Sequence, residues 1–200
     1  TQYKNKNKII KYIEDKINFN DFIKKNNINY VYVSNGLKLF EKRLKTKYGL
    51  KDYESNYSKN TIFFGLYSNK DLEMINNHKY SKYMMFGGSD VDSELVFNLN
   101  KCNFISISEN IKERLHKKNI KSQLVEFNLV DNNLFFPRKI ETKSKSIFIY
   151  NGYNKGLEEN YGKDIYEKIM KEMPEYNYIL SHNLKLPYEK MPDIYSKCFI

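Results

Sequence analysis

The sequence predicts an α/β protein with two parallel-sheet domains, the second incomplete. Three observations lead there. Short apolar runs alternate with helical stripes along most of the chain. The runs end repeatedly in polar or glycine-bearing turns: Ser34-Asn35-Gly36, Gly87-Gly88-Ser89-Asp90, Asn151-Gly152 and Ser181-His182. A turn-rich passage holding Pro137, followed by the polar stretch 139–145, separates five strand candidates from a fresh start of the same pattern.

The elements follow in order. Residues 1–29 form a Lys- and Asn-rich lead-in, where Ile9, Ile10, Ile13 and Ile17 suggest one amphipathic helix and Phe22 and Ile23 another. Tyr30-Val31-Tyr32-Val33 reads as a strand. Leu37, Phe40, Leu44 and Tyr48 then recur at helical spacing, with Gly49 at the C-cap position. Thr61 to Tyr67 is a buried strand, and Ser68 with Asp71 opens a helix through Leu72 and Ile75 as a capping box does. Lys82 to Phe86 and Asn103 to Ile107 are further strands. Ser108 caps a helix with Glu109 in its first turn and Lys117-Lys118 in its last, matching the helix dipole at both ends. Ser122 to Phe127 is the fifth strand. Beyond residue 138, Ser146 to Tyr150 and Tyr176 to Leu180 are strands around a helix striped by Ile165, Ile169 and Met173. Pro192 opens a short helix, and Cys198-Phe199-Ile200 reads as the start of another strand. The expected domains are therefore 1–138 and 139–200, both Rossmann-like, with about three strands in the second against the five or six usual in a doubly wound domain.

Composition narrows the function classes. The 200 residues carry 34 Lys+Arg against 24 Asp+Glu, a formal charge of +10, with 40% hydrophobic and 16% aromatic residues. Those fractions exclude a wholly disordered chain. Ala and Trp are absent while Lys, Asn, Ile and Tyr abound, which is the coding bias of an AT-rich genome. Arg is confined to Arg43, Arg114 and Arg138, so the positive charge is diffuse lysine rather than a phosphate-reading arginine surface. Cys102 and Cys198 make neither a disulfide framework nor a zinc site, and they fit a reducing, cytoplasmic compartment. No apolar run reaches the roughly 18–20 residues of a membrane-spanning helix.

Ligands of parallel sheets bind beyond the carboxyl ends of the strands, so the turn residues are the candidate site. Gly36, at a strand-to-helix turn, would let a phosphate approach a helix amino end, or would simply make the turn. Gly87 and Gly88 would admit a ligand closely, and Asp90 would accept from sugar hydroxyls; the alternative is a turn capped by Asp90. Asp90-Val91-Asp92 is also an Asp-x-Asp triplet, the carboxylate pattern that holds a divalent metal, but it stands off the strand end and no metal is expected. His78 would orient or deprotonate an acceptor hydroxyl, or sit in a solvated loop. His116 reads as a surface residue and His182 as a strand-end residue. Tyr150, Tyr153 and Tyr161 surround the first loop of the second domain, where aromatics stack on sugars or bases. Lys4, Lys6, Lys8 and Lys11 read as a solvated face.

The ordered motifs Tyr30–Gly36, Phe86–Asp90, Ile105–Ser108, Leu129-Val-Asp131 through Phe136-Pro137, Ile147–Gly152 and Met191–Ser196 together resemble a GT-B glycosyltransferase of the family-4-like group, of the kind carried by large DNA viruses. The resemblance runs from Tyr30 to Ile200. It implies two domains facing a cleft, the first binding an acceptor and the second a nucleotide-sugar donor, without a metal or other cofactor. It makes Lys155, in Asn151-Gly152-Tyr153-Asn154-Lys155, the nearest match to the family's basic residues at the donor phosphates; the strand-end residues Asn151 and Gly152 join it as donor-binding candidates, and residue chemistry makes His78 and Asp90 the catalytic candidates. The arginine that usually accompanies Lys155 is not in that segment, and the paired-glutamate element of the family would lie past Ile200. Residues 1–200 alone are therefore expected to transfer sugar weakly or not at all. The partners implied are a nucleotide-sugar and a saccharide or other hydroxyl acceptor, with no specific nucleic acid. A nucleotide-sugar epimerase of similar fold and a non-catalytic glycan- or nucleic-acid-binding module are the alternatives.

Overall fold

Seven parallel strands form the central sheet of the first unit, and their order explains which loops meet. A computed structural model describes residues 17–56, 58–130, 134–135, 145–151, 162–181 and 188–198. The chain divides into two compact units, 1–129 and 130–200. The division falls earlier than the expected boundary after residue 138. Phe127 and Leu129 still pack on the first core, and no described residue beyond Leu129 joins it.

In the first unit the elements are β1 (Ile17–Asn18), α1 (Phe19–Lys25), β2 (Tyr30–Val33), α2 (Lys38–Tyr48), β3 (Lys51–Asp52), β4 (Thr61–Phe64), α3 (Asn69–Asn77), β5 (Lys82–Met85), β6 (Cys102–Ser106), α4 (Glu109–Lys117) and β7 (Ser122–Glu126). The strand order is β1-β7-β6-β5-β4-β2-β3. Tyr30 lies opposite Thr61, and Thr61 opposite Lys82, so the carboxyl ends of β2, β4 and β5 are level. The α/β class is thus as expected. The sheet gains β1 and β3, which the sequence does not announce. Ile17, expected on a helix, pairs with Val125 instead. Ile9, Ile10 and Ile13 lie outside the described residues.

Alternation along the strands builds two cores. Val31, Val33, Ile62, Phe64, Met85, Ile105 and Val125 face α1 and α2, meeting Phe19, Phe22 and Leu44. Phe63, Met84 and Phe86 face α3 and α4, meeting Ile75, Ile111 and Leu115. Every residue of β4 and β5 is buried, as expected for central strands covered on both faces. Helix ends follow local chemistry. Gly49 closes α2 in the left-handed region (φ 65), and the hydroxyls of Ser68 and Ser108 accept from the amides of Asp71 and Ile111 at the starts of α3 and α4.

The second unit has its own sheet. β8 (Ser146–Ile149) pairs in parallel with β9 (Asn177–Leu180), Ser146 opposite Asn177. α5 (Lys163–Glu172) follows Gly162, and α6 (Met191–Lys197) begins with a buried Met191 and Pro192. The expected apolar stripe of α5 is turned outward. Ile165 is 62% exposed, and the neighbouring Tyr166 is the buried residue. Cys198 follows α6 with extended backbone, and residues 199–200, the rest of the expected strand start, lie outside the described set. No helix among the described residues is long and apolar enough to cross a membrane.

Candidate functional site

From β2 the chain runs outward to β3, then returns to the other side of β2 as β4. The strand order therefore reverses between β2 and β4, and loops leaving their carboxyl ends diverge to opposite faces of the sheet. That is the crevice where open α/β sheets bind ligands. Its walls are Ser34-Asn35-Gly36 after β2 and Gly65-Leu66-Tyr67 after β4, with Gly87-Gly88-Ser89 after β5 alongside.

Two buried carboxylates fasten these loops. Asp71, in the first turn of α3, is 3% exposed. It accepts from Tyr32 Oη (2.7 Å), Ser34 Oγ (2.9 Å), Ser68 Oγ (2.9 Å) and the Tyr67 amide (3.0 Å). Burial alone pushes its carboxyl up, but the three hydroxyls and the amide together hold it below the usual range. The same contact, added to burial, drives the Tyr32 phenol well above its ordinary value. Asp90 is 2% exposed and accepts from the amides of Leu66 (3.1 Å), Gly87 (2.9 Å) and Gly88 (2.8 Å). Of its two expected roles, the structure shows the loop-organising one. Its triplet partner Asp92 turns away to pair with Arg114, and no metal-binding cluster occurs among the described residues.

Side chains crowd three glycines of these loops. A Cβ on Gly36 would lie 3.1 Å from Tyr67 Cδ2, and one on Gly87 would lie 2.7 Å from Leu37 Cδ1 and 3.2 Å from Tyr67 Oη. Gly65 (φ 93) is pressed by Leu37, Ser34 and Tyr67 in the same way. On the side a Cβ would take, Gly36 and Gly87 are thus crowded by Tyr67 and Leu37, and the Gly87 amide is already held by Asp90. In this group Gly88 (φ 150) has nothing within 4 Å of that position. Tyr67 lies across this glycine bed and remains 42% exposed at the mouth of the crevice. Its phenol is raised by burial and by the charge of Asp90, while Ser89 hydrogen-bonds it and lowers it.

His78 does not join this site. It caps the far end of α3 and precedes β5, whereas Asp90 follows β5, so the two catalytic candidates stand at opposite ends of the sheet. The imidazole is 5% exposed among the rings of Tyr53, Phe63 and Tyr80, not in a solvated loop. Its Nε2 has no hydrogen-bond partner among the described residues. Burial first, and the charge of Lys82 after it, lower its pKa against a hydrogen bond to the Lys59 backbone. His116 is exposed on α4.

In the second unit, Asn151 and Ser181 close the carboxyl ends of β8 and β9. The Asn151 amide donates to Ser181 Oγ, which donates back to Asn151 Oδ1, both at 3.0 Å and fully buried. Asn151 therefore shapes the strand-end loop from within. Tyr150 is 47% exposed beside it. Gly152, Tyr153, Lys155, Tyr161 and His182 lie outside the described residues, as do Pro137 and Arg138.

The sequence displayed Asp71 only as a helix-capping residue and Tyr67 only as the end of a strand. The motif Gly-Leu-Tyr-Ser after a fully apolar run was the available signal. Compared with protein-family models, curated proteins and solved structures, the chain matches none of them.

Proposed function

We propose that the chain is a glycosyltransferase, or a portion of one, that moves a sugar from a nucleotide-sugar donor to an acceptor hydroxyl, with the acceptor received by the first unit. The observation that carries this reading is Tyr67, a half-exposed aromatic ring at the β2/β4 switch point, seated on Gly36, Gly65 and Gly87. Aromatic faces stack on the C–H faces of sugars, and a ring fixed by close packing loses little entropy on binding. The Ser89 hydroxyl beside its phenol suits a polyol.

The occupied amides of Gly87 and Gly88, both bound by Asp90, support an acceptor over a diphosphate on the β5 side of this crevice. Transfer breaks the bond from the anomeric carbon to the diphosphate, forms one to the acceptor oxygen and releases the hydroxyl proton. The share of the first unit in that step is orientation, which is worth much of such a barrier. Neither Asp90, bound to three amides, nor His78, at the opposite sheet end, is assigned as the base.

A thermal-shift series on the 200-residue chain tests the reading. Neutral oligosaccharides should raise Tm in the wild type and not in Tyr67→Ala, each measured against its own ligand-free baseline. UDP-, GDP- or ADP-sugars should act independently of Tyr67. Saccharide shifts that survive Tyr67→Ala, or none at all, would contradict it.

A further inference from the structure

The crevice floor carries an electrostatic signature that bears on which acceptor it takes, an inference resting on the acceptor reading above. Asp71 and Asp90 are both almost fully buried, and every partner shown for them is a neutral hydroxyl or backbone amide. They bind the consecutive amides of Tyr67 and Leu66, which puts two carboxylates against the backbone that carries the Tyr67 ring. The field of Asp90 reaches the phenol, whose deprotonation it opposes.

The local positive charges do not cancel this. Helices α2 and α3 aim their amino ends at the same edge, each equivalent to about half a charge. Lys38 is paired with Glu41, and Lys70 is exposed, where solvent and salt screen it. Among the described residues, the floor keeps a net charge of about −1 beneath an exposed aromatic face. A cation over a tyrosine face is attracted by the ring itself, and a negative charge behind the ring adds to that attraction.

We infer that the Tyr67 crevice selects an acceptor saccharide bearing a protonated amino group and disfavours acidic saccharides. Isothermal titration of the 200-residue chain with three-residue oligomers of glucosamine, N-acetylglucosamine and galacturonate tests this. The buffer is held at a mildly acid pH that keeps the amino groups of the glucosamine oligomer protonated. At low ionic strength the glucosamine oligomer should bind on the order of tenfold more tightly than its N-acetylated counterpart, the size of one partly desolvated cation–π contact. The preference should shrink in about 0.5 M salt. It should also fall in Tyr67→Leu and persist in Tyr67→Phe, which keeps the ring. Equal binding of the glucosamine and N-acetylglucosamine oligomers, lost together in Tyr67→Leu, would overturn the charge preference and leave the acceptor site standing. A preference for galacturonate would overturn the preference too. Absence of any Tyr67-dependent binding would overturn both.

Discussion

Asp71 and Asp90 accept hydrogen bonds from consecutive backbone amides, Tyr67 N–H to Asp71 at 3.0 Å and Leu66 N–H to Asp90 at 3.1 Å. One carboxylate belongs to the helix after β4 and the other to the turn after β5. Between them they fix the loop that presents Tyr67. The loop is therefore fixed by buried polar chemistry as well as by the apolar cores, to which its neighbours Leu66 and Leu37 belong.

Replacing Asp71 by Asn should cost about 3 kcal/mol, because an amide cannot accept from all four donors and leaves buried groups unpaired. Urea denaturation measures it. Ser34→Ala combined with Asp71→Asn should be clearly less harmful than the sum of the two, since they share one network. The Asp71 carboxyl is held below its unfolded value. Its contribution is therefore complete above about pH 4 and is lost as pH falls through the folded pKa. Asp71→Asn should show a flatter acid limb than the wild type.

Gly87→Ala should destabilise by about 1–3 kcal/mol through the collision with Leu37 Cδ1. The backbone there has no left-handed strain, so the cost is one of space. A smaller neighbour should relieve it: Leu37→Val in the Gly87→Ala background should cost less than in the wild type. Additive costs would show that the two residues do not share that space.

His78 makes stability depend on pH near neutrality. Its folded pKa is depressed, so between that value and the unfolded value of about 6.5 the unfolded chain binds more protons. The stabilisation is full above about pH 6.5 and is lost as pH falls through the folded pKa. The slope from one proton cannot exceed about 1.4 kcal/mol per pH unit. His78→Phe, which keeps a ring among Tyr53, Phe63 and Tyr80, should remove that slope between about pH 7.5 and 5. An unchanged slope would place the titration elsewhere.

What the sequence made legible follows from the range of the interactions involved. β4 and β5 were readable because strands buried on both faces are continuous apolar runs. β1 and β3 were not, since Ile17-Asn18 and Lys51-Asp52 are two-residue edges held only by their neighbours. The Ser68–Asp71 cap was visible because it is local. The bonds from Asp71 to Tyr32 and Ser34 span 39 and 37 residues and exist only because β2 and β4 are adjacent. Gly36 and Gly87 stand out in the sequence as strand-end glycines, but the crowding of them by Tyr67 and Leu37 depends on loops brought together by the sheet. His78 and Asp90 are both catalytic candidates by residue chemistry, and the length of the sheet keeps them apart.

The most direct measurement is an NMR titration of chain carrying 13C-labelled tyrosine rings, with the Tyr67 resonance identified by its loss in Tyr67→Phe. Adding saccharide should shift the Tyr67 ring selectively and saturably, leaving the half-buried Tyr32 and the buried Tyr83 rings in place. Saccharide that moves no tyrosine ring, or moves others while Tyr67 stays fixed, would contradict an acceptor site at the β2/β4 crevice.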